Sequence, residues 1–536
     1  MPQITSKSLT YQTRLHVEEN ADAILGEYAY LLSHVERSLF RDYYQKNKNL
    51  NDLKSSYLKK FNITARQFNS CRIKLQGKVL SYKVLLKESI IELESRIKKL
   101  KKHIKKIKDP FKAHQKKRRL FQLEQKLKQK KQDLEENKLR ICFGTKKLFK
   151  KQFHLEENGF SSHAKWKALW KEKRNDSFFI VGSKDETAGN QTCKFIKNKD
   201  DFSIYLRLPN DFSEKTLIIE RVTFGYGQEE IKRALLENEL RHAKRLANEP
   251  YSHLGKAINY LFKKDKKGWR VFVTVEKEKP PIISSKKNGM IGVDINVNHL
   301  AVVETDRFGN IIGKKTIPCS VYGKSKNQSL AIIGDAVQKI SKPAIQKQKP
   351  IAFEKLDFSK KKQALREENN KYGRMLSSFA YGKISSFIEM SAFKAGIGIF
   401  KENPAYTSII GKIKFAKQYG LSTHHAAALV LARRGLRFSE RLPRYLEILD
   451  SGSKSAFFLS AGNRKKYVWS QYRELIKMLK ATDVQYLSSS IRSTRRESLL
   501  CDSNAVIYRG SSGTLIVNNT VRFTCQNKSI CLSRFV

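Results

Sequence analysis

Residues 290–312 read MIGVDINVNHLAVVETDRFGNII. Met290–Ile295 is an apolar run that ends on a carboxylate, Asp294. A second β-type run, His299–Thr305, follows almost at once, and the turn Asp306-Arg-Phe-Gly309-Asn310 leads into a third, Ile311–Ile317. Short β-runs joined by tight turns read as an antiparallel meander. Downstream the period changes. A helical pattern covers 328–341 (QSLAIIGDAVQKIS), and the apolar run 350–353 ends on a second carboxylate, Glu354. A helix at 373–394, a strand at 396–401 and a helix at 422–434 complete the stretch.

A three-strand meander followed by strands that alternate with helices is the element order of an RNase H-like domain, which places one over 290–436. Each carboxylate closes a strand in the middle of the expected sheet. An ionised group there carries a high desolvation cost unless it holds a cation. A capped or salt-bridged strand end is the plain alternative for either one alone. In an RNase H-like nuclease two divalent cations about 4 Å apart activate water and stabilise the leaving oxygen. Hard cations of this kind take carboxylate oxygens drawn from several elements.

The composition points the same way. The chain of 536 residues holds 106 Lys and Arg against 51 Asp and Glu, a net charge of +55, yet 40% of it is hydrophobic. That is a globular composition whose self-repulsion calls for a polyanion, and nucleic acid is the obvious one. An ordinary metabolic enzyme is excluded as the first reading. Seven cysteines (71, 142, 193, 319, 501, 525 and 531) include no CxxC pair. They read as thiols of a reducing compartment, with no structural zinc. No apolar leader and no membrane-length apolar run occurs, so the expected location is the cytoplasm, at the nucleoid when active, without a membrane partner.

Upstream the texture divides into three. Residues 1–17 read as an extended segment. Residues 18–138 are helical, with a heptad seam at Leu86, Ile90, Leu93, Ile97, Leu100, Ile104 and Ile107. Asp109-Pro110 breaks the seam, which resumes at Leu120, Leu123, Leu127 and Leu134, and this predicts an antiparallel helical hairpin. From Arg96 to Lys131 there are 17 basic residues and 2 acidic ones. A solvated structural hairpin would mix its signs, so this one is expected to track phosphates, with Lys98, Lys101, Lys105, Lys116, Arg118 and Arg119 as contacts. Residues 139–280 are β-rich and read, with 1–17, as a small barrel or sandwich into which 18–138 is inserted. Phe178, Phe195, Tyr205, Trp269 and Phe272 stand among its lysines and are candidates for base stacking, core packing being the alternative. Residues 281–289 form a linker, and 437–536 carries no assigned motif.

GVDINVNHLAVVETDRFGNII (292–312), IAFEKLDFSKK (351–361) and NPAYTSIIG (403–411) together resemble the split RuvC motifs of TnpB, the transposon-encoded RNA-guided DNA nuclease related to type V CRISPR effectors. The resemblance implies a multidomain α/β protein: an RNase H-like (RuvC) nuclease domain at 290–436, a β-barrel wedge domain at 1–17 and 139–280, and an inserted helical recognition domain at 18–138. It also implies a Mg²⁺-dependent endonuclease (Mn²⁺ possible), acting as a monomeric ribonucleoprotein with a guide RNA on double-stranded DNA beside a short flanking motif. Asp294 and Glu354 take the first two catalytic, metal-ligating positions. Arg374, Ser377, Tyr381 and Lys383 resemble the segment that gates the site.

Two departures stand out. The zinc-binding cysteines of the family are absent from NPAYTSIIGKIKFAKQYGLS. In STHHAAALVLARRG, His424 stands where the third motif has Asp, and imidazole is a poor Mg²⁺ ligand. Asp335, on the helix at 328–341, is the candidate for a transplanted third metal ligand; its alternative is an exposed Asp paired with Lys339. His424 or His425 is then left for the scissile phosphate or for proton transfer, against simple capping and packing. Asp357 reads as structural. The alternatives to an endonuclease are a nuclease-inactive RNA-guided DNA-binding protein and a guide-independent transposase or junction resolvase.

Overall fold

The computed structural model describes residues 6–252, 254–355, 380–416, 418–441, 445–450, 453–458 and 467–482. Arg374, Ser377, Asp357 and the last three cysteines lie outside them. The chain divides into two compact units, 1–279 and 280–536.

In the first unit, strand β1 (Ser6–Arg14) precedes the helices α1 (Glu19–Leu39), α2 (Leu50–Lys60), α3 (Ala65–Ile104), α4 (Pro110–Glu135), α5 (Lys146–Lys150) and α6 (His163–Arg174). Then come β2 (Ser177–Ile180), β3 (Cys193–Lys197), β4 (Phe202–Arg207), β5 (Thr216–Val222), α7 (Gln228–Leu246), β6 (Asn259–Asp265) and β7 (Gly268–Glu278). β1 pairs with β7 along its whole length, from Ser6–Glu278 to Arg14–Arg270, so the helices form one excursion between β1 and β2. The strands make an antiparallel sheet in the order β1-β7-β6-β2 and a second in the order β3-β4-β5. The expected barrel is not closed by any described ladder. The two sheets meet instead through buried rings, with Phe195 of β3 stacked on Tyr260 of β6 at 4.8 Å.

The α3–α4 hairpin forms for the reasons its sequence carries. Thr64 and Gln67 make a reciprocal capping box at the start of α3. Asp109 caps α4 by accepting from the Phe111 and Lys112 amides, and Pro110 occupies the first helical position, where its missing N–H is not needed. Leu93, Ile97, Leu100 and Leu123 close the seam, each contributing about 1.5–3 kcal/mol by burial. Leu134, expected in the seam, is exposed.

The second unit carries β8 (Met290–Ile295), β9 (His299–Thr305), β10 (Ile311–Pro318), α8 (Lys326–Gln346), β11 (Ile351–Glu354), α9 (Tyr381–Ala395), β12 (Ile399–Glu402), α10 (Thr407–Gly411) and α11 (Thr423–Gly435). Its sheet has the order β10-β9-β8-β11-β12. β9 pairs antiparallel with both β10 and β8, and β11 runs parallel to both β8 and β12. This is a mixed α/β layer with the meander-then-parallel order expected from the sequence. Alternation sorts the two faces. Ile291, Val293, Ile351 and Phe353 pack on α8 and α9, whereas Met290 and Ala352 pack against Ala432 of α11. The region after 436 contributes a β-hairpin, Tyr445–Asp450 with Ser453–Phe458, and a helix, α12 (Val468–Thr482), whose Tyr472 and Leu475 join the core beneath α11. No described helix is long and apolar enough to cross a membrane.

Candidate active site

α11 lies antiparallel on β8, and the fit between them builds the site. Four residues of helix rise about 6 Å and two residues of strand about 6.6 Å, so every fourth helical residue can meet every second strand residue. Ala428 sits over Gly292: a Cβ on Gly292 would fall 2.0 Å from the Ala428 carbonyl oxygen and 2.9 Å from the Ala432 Cβ. A Cβ on Gly435 would fall 3.0 Å from both the Ala352 Cβ and the Met290 Cε. One step in the other direction, four residues before Ala428 and two after Gly292, His424 comes over Asp294. Its Nδ1 is 3.3 Å from Asp294 Oδ2. Ser422, the N-cap of α11, fixes where the helix begins.

Glu354 stands beside Asp294. The parallel ladder pairs Phe353 with Val293, and each carboxylate is the next residue of its strand. The neighbouring backbones there are about 4.8 Å apart and both side chains leave on the α11 face. Each residue is only 8% exposed. Asn296 Nδ2 donates to Asp294 Oδ2 at 3.0 Å, and the buried Tyr381 hydroxyl donates to the Glu354 carbonyl oxygen. His299, at the head of β9, brings its ring to 5.0 Å from that of His424. His425 faces away: its Nδ1 is 2.8 Å from Ser422 Oγ and its Nε2 is 3.2 Å from Thr316 Oγ1. Burial pushes the His425 imidazole below its ordinary pKa, as suits a neutral packing group.

The structure thus brings together Asp294, Glu354 and His424. It does not bring Asp335 to them. α8 turns Ile333, Ala336, Val337 and Ile340 to the opposite face of the sheet, and Asp335 is exposed on the outer side of that helix. Asn296 and His299 were not singled out from sequence. Their signal was the short loop 296–298, which returns β9 directly beside the end of β8. Two adjacent buried carboxylates suit a hard divalent cation, which needs one or two protein carboxylates and fills its other positions with water or phosphate oxygens. Among the described residues no group of three or more His, Cys, Asp and Glu is placed to hold a metal, so what the structure shows is two neighbouring carboxylates with an imidazole 3.3 Å from one of them.

The six basic residues expected to contact phosphate lie on the hairpin. Lys98, Lys101, Lys105 and Arg118 are exposed, and Lys116 and Arg119 are partly covered. Lys101 is paired with Glu124 at 2.7 Å, and Lys131 with Glu94 at 2.6 Å, so these two acids stitch the helices together. Of the aromatics that were candidates for base stacking, Phe178, Phe195 and Trp269 take the core-packing alternative, because they occupy inward positions of their strands and are buried. Tyr205 and Phe272 alternate with buried neighbours and are half-buried on the other face.

No protein-family model matches the chain, and no curated protein matches it significantly. Solved structures that do match include RuvC of T. thermophilus in complex with a Holliday junction substrate, 15% identical over 27% of this chain and 88% of that one, with a TM-score of 0.19. Another is a chain of the Cas12f1–sgRNA–target DNA complex, 11% identical over 80% of this chain and 99% of that one, with a TM-score of 0.23.

Proposed function

We propose that this chain is an RNA-guided DNA endonuclease of the TnpB and type V effector kind, with its nuclease centre at Asp294, Glu354 and His424. The observation that carries the reading is the pair of buried carboxylates side by side at the ends of β8 and β11, under the N-terminus of α11. Supporting it are the strand order of the sheet and a surplus of 55 positive charges on a folded chain. Asp294 and Glu354 would hold Mg²⁺ or Mn²⁺, which supplies activated water and charge stabilisation at the phosphodiester when bound. The residues around them do the rest. Asn296 and His424 both hold Asp294 at its Oδ2, Tyr381 anchors the strand end that presents Glu354, and His424 is open enough to meet a phosphate oxygen. Residues 1–279 would hold the guide RNA and its heteroduplex through phosphate contacts, leaving sequence recognition to base pairing.

A specific observation favours a second reading. With imidazole in the third position and Asp335 away from the cluster, the same scaffold would serve as a nuclease-inactive, RNA-guided DNA-binding protein. One experiment separates the two. RNA that co-purifies with the full chain is sequenced, and DNA complementary to its variable segment is incubated with the complex in Mg²⁺ or Mn²⁺. Cleavage of matched but not scrambled DNA supports the endonuclease. Tight guided binding without cleavage supports the second reading, and the absence of any discrete RNA overturns both.

A further inference from the structure

Residues 145–174 carry nine Lys and Arg against three Glu, and fold into α5, two single-turn helices and α6. Five rings form a continuous ladder through this segment. His163 lies 5.0 Å from Trp166, Trp166 stacks on Trp170 at 5.9 Å and 11°, Trp170 is 5.5 Å from Phe149, and Phe149 is 6.2 Å from Phe153. The inner part is fixed. Trp166 is buried and donates its indole N–H to the Leu148 carbonyl oxygen at 2.8 Å. Trp170 lies against Gly144, whose backbone has φ +111° and whose missing Cβ would fall 2.8 Å from the indole. The outer part is open: Phe149 is 42% exposed and Phe153 67%. Lys146, Lys147, Lys150, Lys165, Lys167 and Lys171 are exposed around them.

Single exposed apolar residues are ordinary on a protein surface, but two phenylalanines braced from behind by stacked indoles and ringed by lysines are not. The partner must offer flat apolar faces and negative charge at close spacing. Unpaired nucleotides offer both, whereas a duplex hides its base faces inside the stack.

We propose that Phe149 and Phe153, backed by Trp170, form a stacking platform for unpaired bases of the bound RNA, with the surrounding lysines on its phosphates. This rests on the reading of residues 1–279 as the RNA-holding unit, and it adds where single-stranded RNA is gripped. The hairpin, with its even, one-signed charge, suits duplex backbone instead.

The test uses the full chain, and measures binding of fluorescein-labelled U12 and A12 single strands and of a 12-base-pair RNA duplex. Phe149→Leu/Phe153→Leu keeps the apolar bulk and removes the rings. It should weaken both single strands about tenfold, with the salt slope unchanged and duplex binding within about twofold. Phe149→Tyr/Phe153→Tyr should restore the affinity, and ultraviolet cross-links in the wild type should map to the two positions. Single-strand binding equal to wild type in the leucine variant overturns the platform alone. So does an equal loss for single strands and duplex, or displacement of U12 by polyglutamate as readily as by unlabelled RNA. A wild type that binds no RNA at all overturns the underlying reading with it.

Discussion

The α3–α4 hairpin and the seat of α11 on β8 are opposite solutions to placing chemistry on a scaffold. The hairpin has a narrow apolar seam, Leu93, Ile97, Leu100 and Leu123, and everything outside the seam is free to be basic. Charges of this kind would act on a polyanion additively and at a distance, so no single one should be indispensable. The α11 seat has no such freedom. Ala428 and Ala432 meet Gly292 with no space for a methyl group, and the position of His424 over Asp294 follows from that contact. On the proposed function, one region would hold a polyanion by number, and the other holds a few side chains by register. Under that proposal, binding and cutting should fail independently.

The largest expected effect lies in the seat. Gly292→Ala places a methyl group within 2.0 Å of a backbone oxygen that cannot retreat without lifting α11. It should destabilise the unit by about 3 kcal/mol or more, read as a lower urea midpoint, and should lose cleavage even where the fold survives. An unaltered midpoint would mean that the helix rides loosely, and would remove the reason for the placement of His424.

The hairpin should behave in the contrary way. Lys98→Glu, Lys105→Glu and Arg118→Glu together should cut RNA affinity by about ten- to a hundredfold at physiological salt and lower the salt slope by about 2–3. Folding stability should move by no more than about 0.5 kcal/mol. These three are chosen because Lys101 is already engaged by Glu124. Unchanged affinity would make the hairpin a scaffold only.

His424→Ala should fall between. It removes one of the two groups that orient Asp294 while Asn296 remains, so cleavage should drop roughly tenfold with guided binding retained. Complete loss would place the imidazole among the metal-holding groups.

Much of this organisation is legible in the sequence. The hairpin could be read because its heptads run long enough to define a face, and the meander because its strands are separated by recognisable turns. Asp294 and Glu354 stand out as charges ending apolar strands. The position of Asp335 was also legible in principle. Ile333, Ala336, Val337 and Ile340 follow helical spacing, and residue 335 falls off that stripe. What could not be read was contact between elements distant in sequence. Nothing in GVD or HHAAA alone says that Gly292 exists to admit Ala428. Nor could the outer rings of the α5–α6 segment be foreseen, because a helix of five residues is too short to define an exposed face. In the strands, by contrast, strict alternation separates the buried Phe178 and Trp269 from the half-buried Phe179 and Phe272.

The division between holding and cutting is tested most directly by Asp294→Asn in the full chain, assayed for guided DNA binding and for cleavage on the same preparation. The substitution keeps the volume and the hydrogen-bonding reach of the side chain and removes only its charge. Guided binding should stay within about twofold of wild type, while Mg²⁺- or Mn²⁺-dependent cleavage should fall by at least about a thousandfold. Cleavage that persists, or cleavage and binding that fall together, would contradict the account.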